Sequence, residues 1–203
     1  MQHLRGVLLM GSFLVQCQSA SIAVPTLIRQ THDLSLLLQS QASSLLSSYV
    51  QQMGRPFSDP DFSLPGTQLQ GLPQASVPYL SWRGLSHQQR LADTYQAYSL
   101  YAEFLQLVLD DVEALGLSLG PGKLWDRLTF TKVQVEGLRS NARSLLDALR
   151  YPLPVVGDPL DPAKSGHTDF ERKVRGYIVC RGYRDWINRT VRDFQLLSYY
   201  FPA

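Results

Sequence analysis

Four long stretches of the sequence repeat apolar residues at three- and four-residue steps, which is the period of an amphipathic α-helix. The pattern predicts helices from about Leu27 to Gln52, from about Ser86 to Leu115, from near Pro121 to near Arg150, and from Asp169 to Phe201. Gly54 and Pro56 should end the first helix, and Pro152 and Pro154 the third. No stretch has the alternating pattern of a strand ladder, so the fold class is predicted to be all-α.

The lengths of the three connections predict the directions of the helices. About thirty residues join the first pair, only a few around Gly116 to Gly120 join the second, and roughly eighteen join the third. A helix of about 27 residues is roughly 40 Å long, so a short link makes neighbours antiparallel, whereas a long link can start the next helix in the same direction. We therefore predict a long-chain four-helix bundle, up-up-down-down, with two long crossover loops, as in helical hormones and cytokines.

The first residues have the pattern of a secretion signal. Arg5 gives a positive start, and the apolar run from Gly6 to Val15 has about half the length that a membrane span needs. A small-x-small pattern at residues 21–23 predicts a mature start near Val24, with cleavage after Ser19 as an alternative, and an unprocessed apolar N-terminus as the alternative to any signal. The predicted organisation is a signal peptide, 1–23, and one helical domain, 24–203.

The cysteine content excludes an internal disulfide in the mature monomer. Cys17 would leave with the signal, so Cys180 would be the single remaining cysteine. Most small secreted domains are held by disulfides, and this one must depend on its core instead. Since Cys180 falls in the apolar stripe of the last helix, we predict a buried thiol.

Residue patterns of metal sites and enzymes are missing from the sequence. The histidines are scattered, and no HExxH or clustered Cys/His spacing occurs. The run GLSLGPGK, residues 116–123, has glycines one position too far apart for a P-loop and is followed by Leu124 where Ser or Thr is needed, so we interpret it as a turn. Asp110 and Asp111 are adjacent on a helix and are predicted to form a solvated face, not an acid/base pair. We predict no cofactor and no enzymatic activity.

The last helix is the most aromatic and basic part of the chain. Its buried stripe is predicted to consist of Val174, Tyr177, Cys180, Ile187, Val191 and Phe194. Trp186 lies about 100° around the helix from the centre of that stripe, and Arg189 and Asp193 follow on the same side. A large aromatic residue with charged neighbours at the edge of a stripe is typical of a partner-binding face. The alternative is a boundary aromatic that caps the core.

Charge on the last helix leaves two interpretations open. Seven basic and four acidic side chains give this helix a net charge of +3, while the whole chain has +2, which is too little to predict nucleic-acid binding. The helix is either a solvated face with pairs such as Asp185 with Arg189, or a surface for an acidic receptor or a heparin-like polyanion. Asn188-Arg189-Thr190 is a glycosylation sequon, and a glycan on Asn188 would cover part of the face near Trp186.

Three segments carry a resemblance to a known family. They are IRQTH with LLSSYVQQMGRP (28–32 and 45–56), PFSDPDFSLP (56–65), and FERKVRGYIV (170–179) with Trp186 and Val191-Arg192-Asp193. They resemble the first helix, the start of the first crossover and the fourth helix of the ciliary neurotrophic factor and cardiotrophin branch of the interleukin-6 cytokines. Two founding members of that branch lack a standard signal, whereas this chain has the pattern of one. Within the branch the chain is therefore most similar to the secreted cardiotrophin-2, or neuropoietin, type.

This resemblance implies a receptor ligand that assembles the leukemia inhibitory factor receptor with the shared interleukin-6-family signal transducer. Ciliary neurotrophic factor receptor α often joins, and JAK/STAT signalling follows. The family's Phe-x-x-Lys pair, an aromatic anchor beside an orienting charge, is matched by Phe170 and Lys173 and implies a site for leukemia inhibitory factor receptor. The family's α-receptor face is matched by Trp186, Arg189 and Asp193. The signal-transducer face lies on the first and third helices, with no residues matched.

We therefore predict a secreted, mainly monomeric cytokine with no nucleic-acid partner and no membrane insertion. The alternative from another class is a secreted helical-bundle carrier of an apolar ligand, which predicts a large internal cavity where the Leu-rich stripes predict a filled core. A secreted enzyme would need a convergent polar site, and the sequence shows none. An exposed Phe170 would favour the cytokine, and a buried Phe170 would count against it.

Overall fold

A computed structural model describes residues 23–64, 67–118, 124–158, 160 and 168–202. All regular secondary structure in these residues is helical, which confirms the all-α prediction. The helices are α1 (Val24–Met53), α2 (Tyr79–Arg83), α3 (His87–Ala114), α4 (Leu124–Ala148) and α5 (Asp169–Tyr200). The four long helices agree with the predicted ones to within about three residues at either end. The predicted signal peptide, apart from Ala23, lies outside the described residues.

The short helix α2 was not predicted, because it interrupts the long Pro- and Gly-rich connection after α1. Pro78 precedes it, and the Gly84 N–H bonds back to the Leu80 carbonyl at its end. None of the helices in the described part of the chain combines the length and apolar character that crossing a membrane requires.

Local sequence explains where the long helices begin and end. The hydroxyls of Ser86 and Thr168 accept from the N–H groups of Gln89 and Glu171, whose side chains accept from the capping residues in return. These capping boxes fix the first turns of α3 and α5. At the end of α1, Gly54 takes the positive φ of 67° that a side chain would disfavour.

Contacts between helices place α1 against α4 and α5, and α3 against the same two helices. Near the end of α1, the Tyr49 hydroxyl donates to the Lys173 carbonyl in the first turns of α5. Four other side-chain pairs link these helices: Gln39 with Asn188, Ser44 with Arg127, Asp111 with Arg175, and Arg90 with Asp193. In the last three of these pairs a late residue of one helix meets an early residue of its neighbour, or the reverse, whereas Gln39 and Asn188 both lie nearer the middle of their helices.

Large side chains fill the space between the helices. The buried rings with at most 1% of their surface exposed are Tyr49, Tyr98, Tyr101, Phe104, Tyr183 and Phe194. They pack among the leucines of the predicted stripes, as expected for a filled core. Cys180 is buried as predicted, while Val174 and Val191, which were placed in the α5 stripe, are only half-buried.

Two predictions about charged residues are wrong. Asp111 is 4% exposed, because Arg175 of α5 faces it and donates two hydrogen bonds at 2.6 and 2.7 Å. The predicted pair of Asp185 with Arg189 does not form, since Asp185 pairs with Arg184 and Arg189 turns inward towards α3. Neighbouring helices thus offer partners that a single helical pattern does not reveal.

Candidate functional site

The first turn of α5 presents an exposed aromatic side chain. Phe170 is 54% exposed, in agreement with the position expected for a cytokine anchor. The capping box of Thr168 and Glu171 fixes the backbone of this turn. Phe170 is therefore held on an ordered helix end and not in a loose loop.

The Phe170 ring packs against Phe57, which itself packs against Phe62 and Tyr177. The ring of Phe57 lies 5.9 Å from that of Phe170, 4.9 Å from that of Phe62 and 6.0 Å from that of Tyr177. Phe57 itself is buried, with 3% of its surface exposed. These tilted contacts restrict how the Phe170 ring can turn while leaving its outer side open to a partner.

Lys173 follows Phe170 by three positions, which places both side chains on one side of α5. Its side chain is half-buried, and no carboxylate among the described residues pairs with it. Its carbonyl accepts from the buried Tyr49 hydroxyl at 3.1 Å, and this bond fixes the helix end against α1. An apolar ring and an unneutralised positive charge therefore project together from a rigid support.

Gly176 permits this close approach of Tyr49. A Cβ atom at Gly176 would collide with the Tyr49 hydroxyl and would lie 2.8 Å from the ring carbon Cε2. The absence of a side chain at this position therefore determines how α1 and α5 pack beneath Phe170 and Lys173.

The three residues matched to the α-receptor face are buried, in contrast to Phe170. Trp186 is 4% exposed, Arg189 3% and Asp193 0%. The indole Nε1 of Trp186 donates to the Pro73 carbonyl at 2.8 Å, and the Arg189 guanidinium lies 4.5 Å from the centre of its ring. Trp186 thus has the position of the boundary aromatic that was the alternative interpretation, with the first crossover packed over it.

Asp193 is the centre of a buried ion-pair network. Its carboxylate accepts from Trp82 at 2.7 Å, from Arg90 at 2.6 Å and from Arg189 at 3.4 Å. Arg189 also donates to Asp93 on α3. Burial raises the pKa of the Asp193 carboxyl, while Arg189, Trp82 and Arg90 act against that rise. The network fastens α2 and α3 to the later part of α5.

Helix α2 covers this ion-pair network and forms the outer surface of the protein next to the later part of α5. α2 lies across it with Tyr79 67% exposed and Leu80 81% exposed, and the Arg192 guanidinium lies 5.3 Å from the Trp82 ring. Local sequence patterns could not predict these contacts, because Trp82 and Arg90 meet Asp193 across more than a hundred residues. A buried aspartate always needs donors, but helical periodicity could not say which elements supply them.

Asn188, the candidate glycosylation residue, lies in the middle of α5 with its side chain half-buried. Its Oδ1 accepts from Gln39 Nε2 at 3.0 Å. The third residue of the sequon, Thr190, is buried and shares a hydrogen bond with the Tyr98 hydroxyl. The acceptor side chain therefore reaches the surface, while the rest of the sequon belongs to the core.

The described residues contain no group of three or more His, Cys, Asp or Glu side chains that could hold a metal ion. Cys180 is fully buried, and burial raises the pKa of its thiol to about 12, so the reactive thiolate is suppressed at neutral pH.

Comparisons with known proteins identify the family. Residues 17–202 match the family of the plethodontid receptivity factor PRF. The chain is 38% identical to mouse cardiotrophin-2 over 187 residues, which cover 91% of this chain and 90% of that protein. It is 38% identical to human cardiotrophin-1 over 84% of this chain and 85% of that protein, and 24% identical to human ciliary neurotrophic factor over 79% and 77%. The chain therefore belongs to the ciliary neurotrophic factor and cardiotrophin branch of the interleukin-6 cytokines.

Proposed function

We propose that this cytokine is secreted and assembles leukemia inhibitory factor receptor with the shared interleukin-6-family signal transducer, joined by ciliary neurotrophic factor receptor α. Bringing the receptor chains together activates JAK/STAT signalling. The observation that carries the proposal is the exposed Phe170, held at the head of α5 beside Lys173, in a relative of the cardiotrophins. The proposed cytokine function requires no enzymatic activity and no cofactor.

Phe170 and Lys173 form the proposed site for leukemia inhibitory factor receptor. The Phe57 ring already supports Phe170, so little side-chain freedom remains to be lost on binding. An aromatic side chain that enters a receptor pocket gives affinity, and the adjacent charge on Lys173 orients the encounter.

The later part of α5 supports the proposed α-receptor face from beneath. Trp186 and Asp193 hold Pro73 and Trp82 in place, and Arg189 links both residues to α3. Direct contact of these three side chains with a receptor would require the overlying crossover to move. They therefore act as positioning residues in this proposal, and α2 with the neighbouring crossover supplies the contact surface.

The proposed bundle runs up-up-down-down with two long crossovers. In support, the end of α1 lies against the beginning of α5, and the end of α3 does the same through Asp111 and Arg175. From Phe170 to Trp186 the helix rises roughly 24 Å, so two receptor chains can bind one monomer at separate places. We also propose removal of a signal peptide, 1–23, to leave the domain 24–203. Asn188 is the proposed site for any N-linked glycan.

The experiment that tests this function is binding of the mature protein, starting at Val24, to an immobilised ectodomain of leukemia inhibitory factor receptor. Phe170→Ala with Lys173→Ala should weaken binding by at least about 2 kcal/mol, or roughly thirtyfold, because truncation of an interface anchor has that effect. The matched control is Tyr199→Ala, which removes another exposed aromatic ring, at the opposite end of α5.

Circular dichroism of each variant excludes loss of fold as the cause. Equal binding by the wild type and the double variant would remove Phe170 and Lys173 from the site while keeping the receptor. If the wild type does not bind, even with the signal transducer and ciliary neurotrophic factor receptor α present, the proposed receptor set is wrong.

A further inference from the structure

A groove of about 550 Å³ runs beside the middle of α5, separate from Phe170 and Lys173. One wall is the crossover segment 67–76, and the other is a stripe of α5 side chains. That stripe contains Arg181, Asp185, Asn188 and Arg192. These positions recur at three- and four-residue steps, so they share one face of the helix.

Two arginines at the ends of the stripe give the groove its positive charge. The Arg181 guanidinium lies 5.3 Å from the centre of the Tyr177 ring, and that of Arg192 lies 5.3 Å from the Trp82 ring. Neither pairs with a carboxylate among the described residues, whereas Arg175 and Arg189 do. The rings hold the two guanidinium groups in place without neutralising them.

The acidic residue of the groove is already paired. Asp185 accepts from Arg184 at 2.9 and 3.1 Å, so its charge is largely offset. The crossover wall, residues 67–76, contains no Asp or Glu and supplies hydroxyl and amide groups from Thr67, Gln68, Gln74 and Ser76. The groove therefore combines unneutralised guanidinium groups with hydrogen-bonding groups suited to hydroxyls.

Leu72 and Ile178 give the groove an apolar floor. Gly182 lets Leu72 lie close to α5, because a Cβ atom there would be 3.2 Å from the Leu72 side chain and 2.7 Å from the Tyr101 hydroxyl. Arg181 and Arg192 are eleven positions apart, which corresponds to roughly 17 Å along the helix. Their spacing matches an elongated anion better than a single small one.

We propose that this groove binds a sulfated glycosaminoglycan chain. The sulfates bind Arg181 and Arg192, the sugar hydroxyls bond to the amide and hydroxyl side chains of the crossover, and the sugar rings lie on the apolar floor. A concave, polar groove favours a flexible polysaccharide over a flat anionic membrane, which could not enter between its walls. The site goes beyond receptor assembly and does not require that the proposed receptors are correct.

Asn188 lies in the same groove, between the two arginines. An N-linked glycan on this residue would occupy the space that the polysaccharide needs. Glycosylated protein should therefore bind more weakly than protein without the glycan, and the test uses Asn188→Gln protein to remove this difference.

The direct test measures binding of this protein to an immobilised heparin oligosaccharide, and to the same oligosaccharide after removal of its sulfates, which keeps its carboxylates. Arg181→Gln with Arg192→Gln should weaken binding by about tenfold or more, because two charge-assisted contacts are lost. The affinity should also depend less steeply on NaCl concentration, because fewer counterions are released.

The matched control is Arg55→Gln with Arg143→Gln, which removes the same charge from two exposed residues outside the groove. A second variant, Gln68→Glu, adds a carboxylate to the crossover wall without altering α5, and it too should weaken binding. Circular dichroism shows whether each variant is folded.

Four results would overturn the proposal: no preference for the sulfated oligosaccharide, equal loss in groove and control variants, no effect of Gln68→Glu, or groove-dependent binding to phosphatidylserine vesicles but not to heparin. Heparin binding without receptor binding would leave the groove assignment intact and contradict the proposed function. Receptor binding without heparin binding would overturn the groove proposal and leave the proposed function intact.

Discussion

The carboxylate of Asp193 accepts a hydrogen bond at 2.7 Å from the indole of Trp82, which precedes it by 111 positions. This bond joins α2 to the last helix. Because Asp193 is fully buried and also accepts from Arg90 and Arg189, the position of the first crossover depends on a charge that water cannot stabilise.

Replacing Asp193 by Ala should destabilise the protein strongly, by about 3–5 kcal/mol, since it leaves Arg90 and Arg189 buried without this partner. Trp82→Phe should cost less, about 1.5–3 kcal/mol, because it removes one donor to a carboxylate that keeps two others. Urea unfolding measures both changes, and Asp33→Ala on the exposed side of α1 is the control, expected to have almost no effect.

Trp82→Phe should also differ from the control in how fast proteases cut the first crossover. Limited digestion should cut segment 67–84 faster in Trp82→Phe than in Asp33→Ala under conditions where both are folded. If Trp82→Phe is as stable and as resistant as the wild type, the indole does not hold α2 in place.

Gly176→Ala should destabilise the protein by about 1–3 kcal/mol, although alanine is the better helix former. The new methyl group would collide with the Tyr49 ring, which is fully buried and cannot move without disturbing the core. Gly137→Ala on α4 is the matched control. Since nothing lies within 4 Å of a Cβ there, it should stabilise by about 0.5–1 kcal/mol.

A double-mutant cycle identifies the collision. Tyr49→Leu removes the ring, so Gly176→Ala should cost much less in that background than alone. Purely additive effects of the two substitutions would mean that another contact makes Gly176→Ala unfavourable.

Stability should fall as pH rises above 9, and Cys180 accounts for part of the fall. Burial raises the pKa of its thiol from 9.0 to about 12. Between these values the unfolded chain loses the proton and the folded chain keeps it, so stability is fully present below pH 9 and decreases by up to about 1.4 kcal/mol per pH unit.

Cys180→Ala removes this effect, while Tyr98 and Tyr101, whose pKa values are also raised by burial and not by Cys180, contribute to both proteins. The stability difference between the wild type and Cys180→Ala should therefore shrink by about 1.4 kcal/mol from pH 7 to pH 10. Urea unfolding under reducing conditions gives the free energy of unfolding of each protein as a function of pH. If the two proteins lose stability in parallel as the pH rises, the Cys180 thiol ionises equally in the folded and the unfolded states.

The four long helices could be predicted because each one is indicated by the spacing of apolar residues within its own segment. Apolar residues at helical spacing, with Gly54 and Pro56 as stop signals, depend on neighbours within a few positions. The burial of Cys180 follows from the same pattern, whereas the role of Phe170 was implied by the family resemblance and its exposure is known from the structure.

Contacts between distant segments could not be predicted in this way. Periodicity put Trp186 at the edge of the buried stripe, but the crossover that covers it comes more than a hundred positions earlier. It also made Asp111 a solvated residue, because nothing in α3 reveals that Arg175 of another helix lies opposite. Burial of such flanking residues is decided by packing between elements, which a single sequence does not encode locally.

Phe57 should act on receptor binding through Phe170. Phe57→Leu keeps the apolar volume but removes the ring that supports Phe170, and we expect receptor affinity to fall by about 0.5–1.5 kcal/mol. Phe62→Leu is the matched control, because Phe62 contacts Phe57 and Tyr177 and should change stability with little change in affinity. In the Phe170→Ala background, Phe57→Leu should have no further effect, since the residue it positions is absent. Surface binding to the receptor ectodomain measures the wild type and the four variants. An undiminished effect of Phe57→Leu in that background would mean that Phe57 acts on the receptor by another route.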